Sequence, residues 1–187
     1  SVKPCIVMMV LDSTGQYRGK VSLLKTTAAY IAGFFDGDGS VRLQLQPRAN
    51  VKLGFRVRAI ISFAQKTGHA DELFWIRDQL KIGYIYTRND EMTELKVEGF
   101  NQVEKILKQL APYVRFKRQQ VRLVLDALEI LKKNPKAILE IAQIADRISD
   151  INYATTKKKY TSEFIRQWLK QRLAPVTTES DATSDEK

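Results

Sequence analysis

The chain has one cysteine, Cys5, and one histidine, His69, among 187 residues. A single thiol forms neither an internal disulfide nor a cysteine zinc cluster, which fits a reducing compartment. Long apolar runs are also missing. CIVMMVL is too short for a membrane span and stops at Asp12, and it lacks the longer apolar core and small-residue cleavage site of a secretory signal. The chain therefore reads as intracellular, in the cytoplasm or nucleoid of a prokaryote or in an organelle. Acid is absent from Gly39 to Ala70, a stretch that carries Arg42, Arg48, Lys52, Arg56, Arg58 and Lys66.

What is present sharpens that imbalance. Thirty-one Lys and Arg face 21 Asp and Glu, a formal charge of +10. From Ala174 onward the balance reverses to −3, which leaves the remainder at +13. Cation concentrated in this way favours a polyanion, nucleic acid ahead of a membrane surface. The length suits one ordinary domain with tails, and the 44% apolar content is enough for a packed core.

The hydrophobic periods give an order of elements. Two β-leaning runs around STGQ predict a small hairpin within residues 1–24. Thr26 or Thr27 is placed to cap a helix from Ala28 to about Gly37. The period then falls to two: Val41, Leu43 and Leu45 share one face of a strand, opposite Arg42, Gln44 and Gln46. A second strand sets Phe55, Val57, Ala59, Ile61 and Phe63 against Arg56, Arg58 and Ser62. That alternation describes an antiparallel sheet with one covered and one open face. A helix over about 70–80 follows, then strands GYIYTR and TELKVEG around the turn NDEM. Their outward residues would be Tyr86, Arg88, Glu94, Lys96 and Glu98. Phe100 to Leu110 is a helix with one apolar stripe. Further helices are expected over 116–133, over 135–151 with Pro135 in its first turn, and over 161–173. The acidic end, TTESDATSDEK, reads as a disordered tail over 174–187. The sum is an α+β fold, αββαββα with added C-terminal helices, occupying 25–173.

One stretch resists a purely structural account. AAYIAGFFDGDGS runs an apolar helix into Asp36-Gly37-Asp38-Gly39, and carboxylates are unfavourable at the negative end of a helix dipole. A calcium loop starting at Asp36 fails, because Val41 replaces the required glycine and Pro47 the bidentate glutamate. A cation should offset the acids, either a metal ion or a lysine. Ala29, Gly33 and Gly37 recur every four residues, with Ala32 and Asp36 alongside. A stripe that small admits a second backbone closely, and the simplest partner is another copy of the same helix across a two-fold axis. Two Asp38 side chains would then lie side by side.

IAGFFDGDGS resembles the signature helix of the LAGLIDADG homing endonucleases, and the resemblance runs from about Thr26 to Arg166 through FAQKTG and PYVRFKRQQ. It is nearest to the single-motif, intron-encoded members, which act as homodimers. The resemblance implies that Asp38 holds divalent metal with help from the Gly37 carbonyl. It implies that Gln65 orients water near the metals and that Lys117 stabilises charge or polarises water. Asp36 would be more structural, and the dimer interface would take Ala29, Ala32, Gly33 and Asp36. Where relatives carry Arg or Lys this chain has His69, which reads as peripheral. Mg²⁺ is the implied cofactor, with Mn²⁺ able to substitute. Paired carboxylates holding two such ions ~4 Å apart can activate water and neutralise charge on the phosphate. Gln65 also has the parity of the covered strand face, toward the helices.

The open face would supply recognition. Arg42, Gln44, Gln46, Arg56, Arg58, Arg88 and Lys96 are long donors and amides suited to base edges in a major groove. Ser40, Arg48, Asn50, Ser62, Tyr86 and Glu94 are secondary candidates. Lys157, Lys158 and Lys159 lie in a segment, TTKKKYTS, suited to phosphates. The leading expectation is a homodimeric endonuclease cutting both strands of a long pseudo-palindromic duplex. The alternative is an intron RNA maturase or a catalytically silent DNA-binding regulator, so RNA stands as a second candidate partner.

Overall fold

The structure, a computed structural model, describes residues 22–51, 54–152 and 159–173. The expected hairpin (apart from residues 22–24), the acidic tail, Lys157 and Lys158 lie outside them. In order the elements are α1 (Lys25–Asp38), β1 (Gly39–Pro47), β2 (Phe55–Lys66), α2 (Asp71–Leu80), β3 (Tyr84–Thr87), β4 (Met92–Glu98), α3 (Phe100–Leu110), α4 (Arg118–Lys133), α5 (Ile138–Ile151) and α6 (Ser162–Leu173). The strands form one antiparallel sheet in the order β1-β2-β4-β3. The expected α+β architecture is present. Among the described residues no helix is long and apolar enough to cross a membrane.

The period-two pattern does what it predicts. Val41, Leu43 and Leu45 of β1 and Phe55, Val57, Ala59, Ile61 and Phe63 of β2 are buried under the helices. α1 covers β1 and β2 with Ile31, Ala32 and Phe35, and α4 and α5 complete the layer against β1. At the outer end of the sheet α6 closes on β2 through Trp168, whose ring stands edge-on to Phe55 with centroids 5.1 Å apart. Gly54 has φ +71°, and a Cβ there would lie 2.4 Å from the Trp168 ring. Both its left-handed backbone and its empty side are therefore required.

Several local expectations are corrected. α1 begins at Lys25 after Leu24, and neither Thr26 nor Thr27 caps it. It also continues through Asp38, so no turn separates helix from strand. Gly39 starts β1 at once, where a Cβ would meet Phe35 Cδ2 at 2.4 Å and the Phe35 backbone at 2.7 Å. Pro135 is not in the first turn of α5. Asn134 closes a separate turn, accepting Lys136 N–H on its side chain at 3.0 Å and Ala137 N–H on its carbonyl at 3.1 Å, so helix starts only at Ile138. Arg88 lies beyond β3, in the turn beside Asp90.

The interface stripe also shifts. Ala32 is 0% exposed and belongs to the subunit's own core. Asp36 faces the segment ahead of α4 rather than open space. The face left open carries Thr26, Tyr30, Gly33 and Gly37, with Ala29 at its edge. That face is turned roughly 60° from the stripe read in the sequence, at about 100° per residue. A Cβ on Gly33 or Gly37 would meet nothing within 4 Å. Nothing in the subunit itself requires those two glycines.

Candidate active site and nucleic-acid interface

Three elements meet at the C-terminal end of α1. The helix runs directly into β1, which leaves Asp38 exposed on its last turn. β2 returns antiparallel, pairing Phe63 with Gly39, so Gln65 arrives two residues further on, over Asp38. Gln65 Nε2 donates to Asp38 Oδ2 at 2.8 Å. That bond fixes one carboxylate oxygen and leaves Oδ1 and the Gln65 carbonyl oxygen for other partners.

The third element is the segment before α4. Asp36 accepts the backbone N–H of Arg115 on Oδ2 at 2.5 Å and that of Lys117 on Oδ1 at 3.0 Å. A carboxylate with backbone donors is well satisfied at a helix end, and here it fastens a segment some 80 residues away in sequence. The sequence suggested for Asp36 a structural part and a place in the dimer interface, and no local pattern names its partners. Lys117 Nζ in turn donates to the Asp36 carbonyl and, at 3.2 Å, to the Gly37 carbonyl. The cation demanded by the acids at this helix end is thus present within the chain. Burial pushes the Lys117 ammonium below the usual lysine range, and the charges of Asp36 and Asp38 oppose that shift.

Asp38, Gly37, Gln65 and Lys117 therefore come together, while His69 sits exposed in the turn after β2. Among the described residues no cluster of three or more His, Cys, Asp or Glu side chains could hold a metal. Among the described residues, the expected ligands at this end of α1 are the exposed Asp38 carboxylate and the Gly37 carbonyl. Both are hard oxygen donors of the kind Mg²⁺ takes alongside water and substrate phosphate, so the residues present fit that ion.

The open face of the sheet carries Ser40, Arg42, Gln44 and Gln46 from β1 and Arg56 and Arg58 from β2, all at least partly exposed. Arg48, Asn50, Arg88 and Lys159 are exposed beyond the strand ends. Two expected contacts are corrected. Ser62 is buried and its hydroxyl lies 2.8 Å from that of Ser40; Glu94 is also buried, bonded by the Tyr86 hydroxyl and 3.7 Å from Lys96 Nζ. Their burial and these partners leave neither side chain open to an outside ligand. Tyr86 and Lys96 are likewise engaged, with Lys96 Nζ 2.9 Å from the Tyr86 hydroxyl and 4.6 Å above its ring. Glu98, expected to face outward but given no partner by the sequence, accepts from Arg58 and, at 3.1 Å, from the Tyr84 hydroxyl. Phe116, next to Lys117, is also 85% exposed.

Comparison with known proteins places this geometry among enzymes. The profile of the family described as LAGLIDADG endonuclease matches residues 31–125. The DNA endonuclease I-CvuI of Chlorella vulgaris is 34% identical over 147 residues, 76% of this chain and 89% of that protein. The DNA endonuclease I-CreI of Chlamydomonas reinhardtii is 32% identical over 143 residues, 75% of this chain and 86% of that protein. Among solved structures, homing endonuclease I-CvuI in complex with its target and 2 mM Ca matches with TM-score 0.72 and 32% identity. The match covers 79% of this chain and 94% of that one. The archaeal intron-encoded I-Vdi141I complexed with DNA, at 20% identity and TM-score 0.65, shares the fold; the match covers 76% of this chain and 96% of that one.

Proposed function

Because the chain belongs to the LAGLIDADG endonuclease family, we propose that it is a homodimeric, divalent-metal-dependent, site-specific DNA endonuclease that hydrolyses a phosphodiester in each strand of a long pseudo-palindromic duplex. The observation that carries the reading is the convergence of Asp38, Gln65 and Lys117 at the end of a helix whose open side carries two glycines. Residues 25–173 form the catalytic unit. The relatives I-CvuI and I-CreI are DNA endonucleases, and DNA is the polyanion that the arginine-bearing open face of β1 and β2, strands from a stretch without acids, fits.

Each side chain has a definable task. Asp38 Oδ1 and the Gly37 carbonyl would hold the metal, which supplies Lewis acidity toward the phosphate and lowers the pKa of water. Gln65 holds Asp38 by its amide and keeps its own carbonyl oxygen to orient a water. Lys117 keeps a positive charge beside the carboxylate, where negative charge grows on the phosphate. Asp36 holds Lys117 in place through two backbone N–H groups. One carboxylate per subunit is too few for two scissile bonds, and the twin subunit supplies the second across the face that carries Gly33 and Gly37. Arg42, Gln44, Gln46, Arg56 and Arg58 lie along the duplex and read base edges.

Asp38→Asn is the direct test. Cleavage of duplexes selected from a randomised library with Mg²⁺ should vanish, while sequence-specific binding in Ca²⁺ persists. Mn²⁺ should support cutting by the wild-type protein. Wild-type-like cutting by the variant would sink the metal-site assignment. Binding to structured intron RNA without nicking of any duplex would favour a maturase.

A further inference from the structure

Among the described residues on the open face of the sheet only two acids occur, Glu94 and Glu98, and both come from β4. A carboxylate directed at a polyanion is repelled unless it has a task. Glu98 is half-buried and bridges three strands, taking Arg58 from β2 and the Tyr84 hydroxyl from β3. Burial acts to raise its pKa, yet the hydrogen bonds from Arg58 and Tyr84 prevail and hold it below the usual glutamate range. It therefore meets a ligand ionised. Register places Glu98 opposite Ile60, diagonal to Arg58, so the guanidinium must lean across the sheet to reach it. Ile60 is only 2% exposed although it lies on this face, walled in by such neighbours.

This bridge removes freedom from an otherwise floppy side chain. An unheld arginine beside DNA satisfies itself on the nearest phosphate, which adds affinity without sequence information. An arginine with Nη2 tied to a carboxylate can still present its remaining N–H edge to a guanine, whose N7 and O6 accept a two-pronged contact. We propose that Glu98 is a specificity-determining positioning residue, which holds Arg58 for base readout and denies it to the backbone phosphates. Tyr84 is the second brace, fixing the carboxylate from the opposite side. The proposal rests on the DNA-cleaving function argued above and deepens it.

The test compares base preference position by position. Libraries of randomised duplex are selected with wild type, Arg58→Ala, Glu98→Gln and the double variant, once by binding in Ca²⁺ and once by cleavage in Mg²⁺. Arg58→Ala marks the base pairs that depend on the guanidinium. At those positions Glu98→Gln should reduce discrimination by at least about fivefold, the low end of what a two-pronged arginine contact supplies. The double variant should lose nothing beyond Arg58→Ala alone. Thermal melting of each variant monitors folding, which a base-resolved preference does not report. Unchanged preferences in Glu98→Gln overturn the proposal. So does a loss confined to base pairs that Arg58→Ala leaves intact, because Glu98 would then be touching DNA itself. If the wild-type protein cuts no duplex but selects a sequence in Ca²⁺, the endonuclease reading fails and the role of Glu98 is still decided by the binding arm.

Discussion

Gly33→Ala separates what one subunit needs from what a pair needs. Within the subunit a Cβ at position 33 meets nothing within 4 Å, so the methyl adds no clash. Alanine also favours helix over glycine by about 1 kcal/mol in a helix interior. The monomeric subunit should therefore become more stable, by about 2–4 °C in melting temperature for a domain of this size. In the proposed dimer the same methyl would stand where a second backbone approaches. Overpacking costs about 1–3 kcal/mol per site, and a two-fold axis doubles it to about 2–6 kcal/mol. At about 1.4 kcal/mol per decade the dimer dissociation constant should rise from about 30-fold to about 10⁴-fold. Sedimentation velocity across a dilution series measures that constant, and denaturant melts at the lowest concentration measure the subunit. Dimerisation as tight as wild type would refute the close approach of twin helices at Gly33. A destabilised monomer would refute the open environment of its Cβ.

Two other substitutions probe how the site is held. Asp36→Asn replaces a carboxylate that takes two backbone N–H groups with an amide offering one oxygen, and hydrogen bonds to charged groups contribute about 1.5–3 kcal/mol each. Stability should fall by about 1–3 kcal/mol in chemical denaturation, and cleavage should fall further because Lys117 loses its anchor; unchanged stability and cutting would remove Asp36 from its positioning role. Gly54→Ala combines left-handed strain of about 1–2 kcal/mol with a methyl in the Trp168 ring. In a Trp75→Phe background, Trp168 emission should shift to the red as α6 lifts from the sheet, and an unshifted spectrum would show that the helix tolerates the intrusion.

The features legible in the sequence were those with a local period. Alternation in VRLQLQ and FRVRAIISF named the covered face of the sheet, and the parity of Gln65 placed it on the side of α1. The conflict between DGD and the helix dipole called for a cation, and Lys117 supplies one. Contacts across long stretches of chain left no such trace. Asp36 is defined by Arg115 and Lys117, and Gly39 by the Phe35 ring, and neither relation has a spacing that a pattern could expose. The open face misled for a related reason. Alternation gives the side of a sheet on which a residue stands but not how much of it its neighbours cover, so Ser62 and Glu94 counted as accessible although both are buried in the folded sheet.

The small-residue stripe divides between two sides of the helix. Ala29, Ala32, Gly33 and Asp36 form a plausible helical face, yet alanine is small enough to serve either a core or an interface. Ala32 serves the core, and only the glycines with open space beside them distinguish the other face. Residue size bounds how closely a backbone can approach, whereas the direction of approach depends on which side the sheet has already taken. For this helix the sheet takes Ile31, Ala32 and Phe35, and what remains for a twin is the strip through Tyr30, Gly33 and Gly37. Asp38 is exposed on the last turn of that helix, about 100° around from Gly37, so it stands beside the strip, and the proposed twin would have to approach the end of α1 to bring two such carboxylates together.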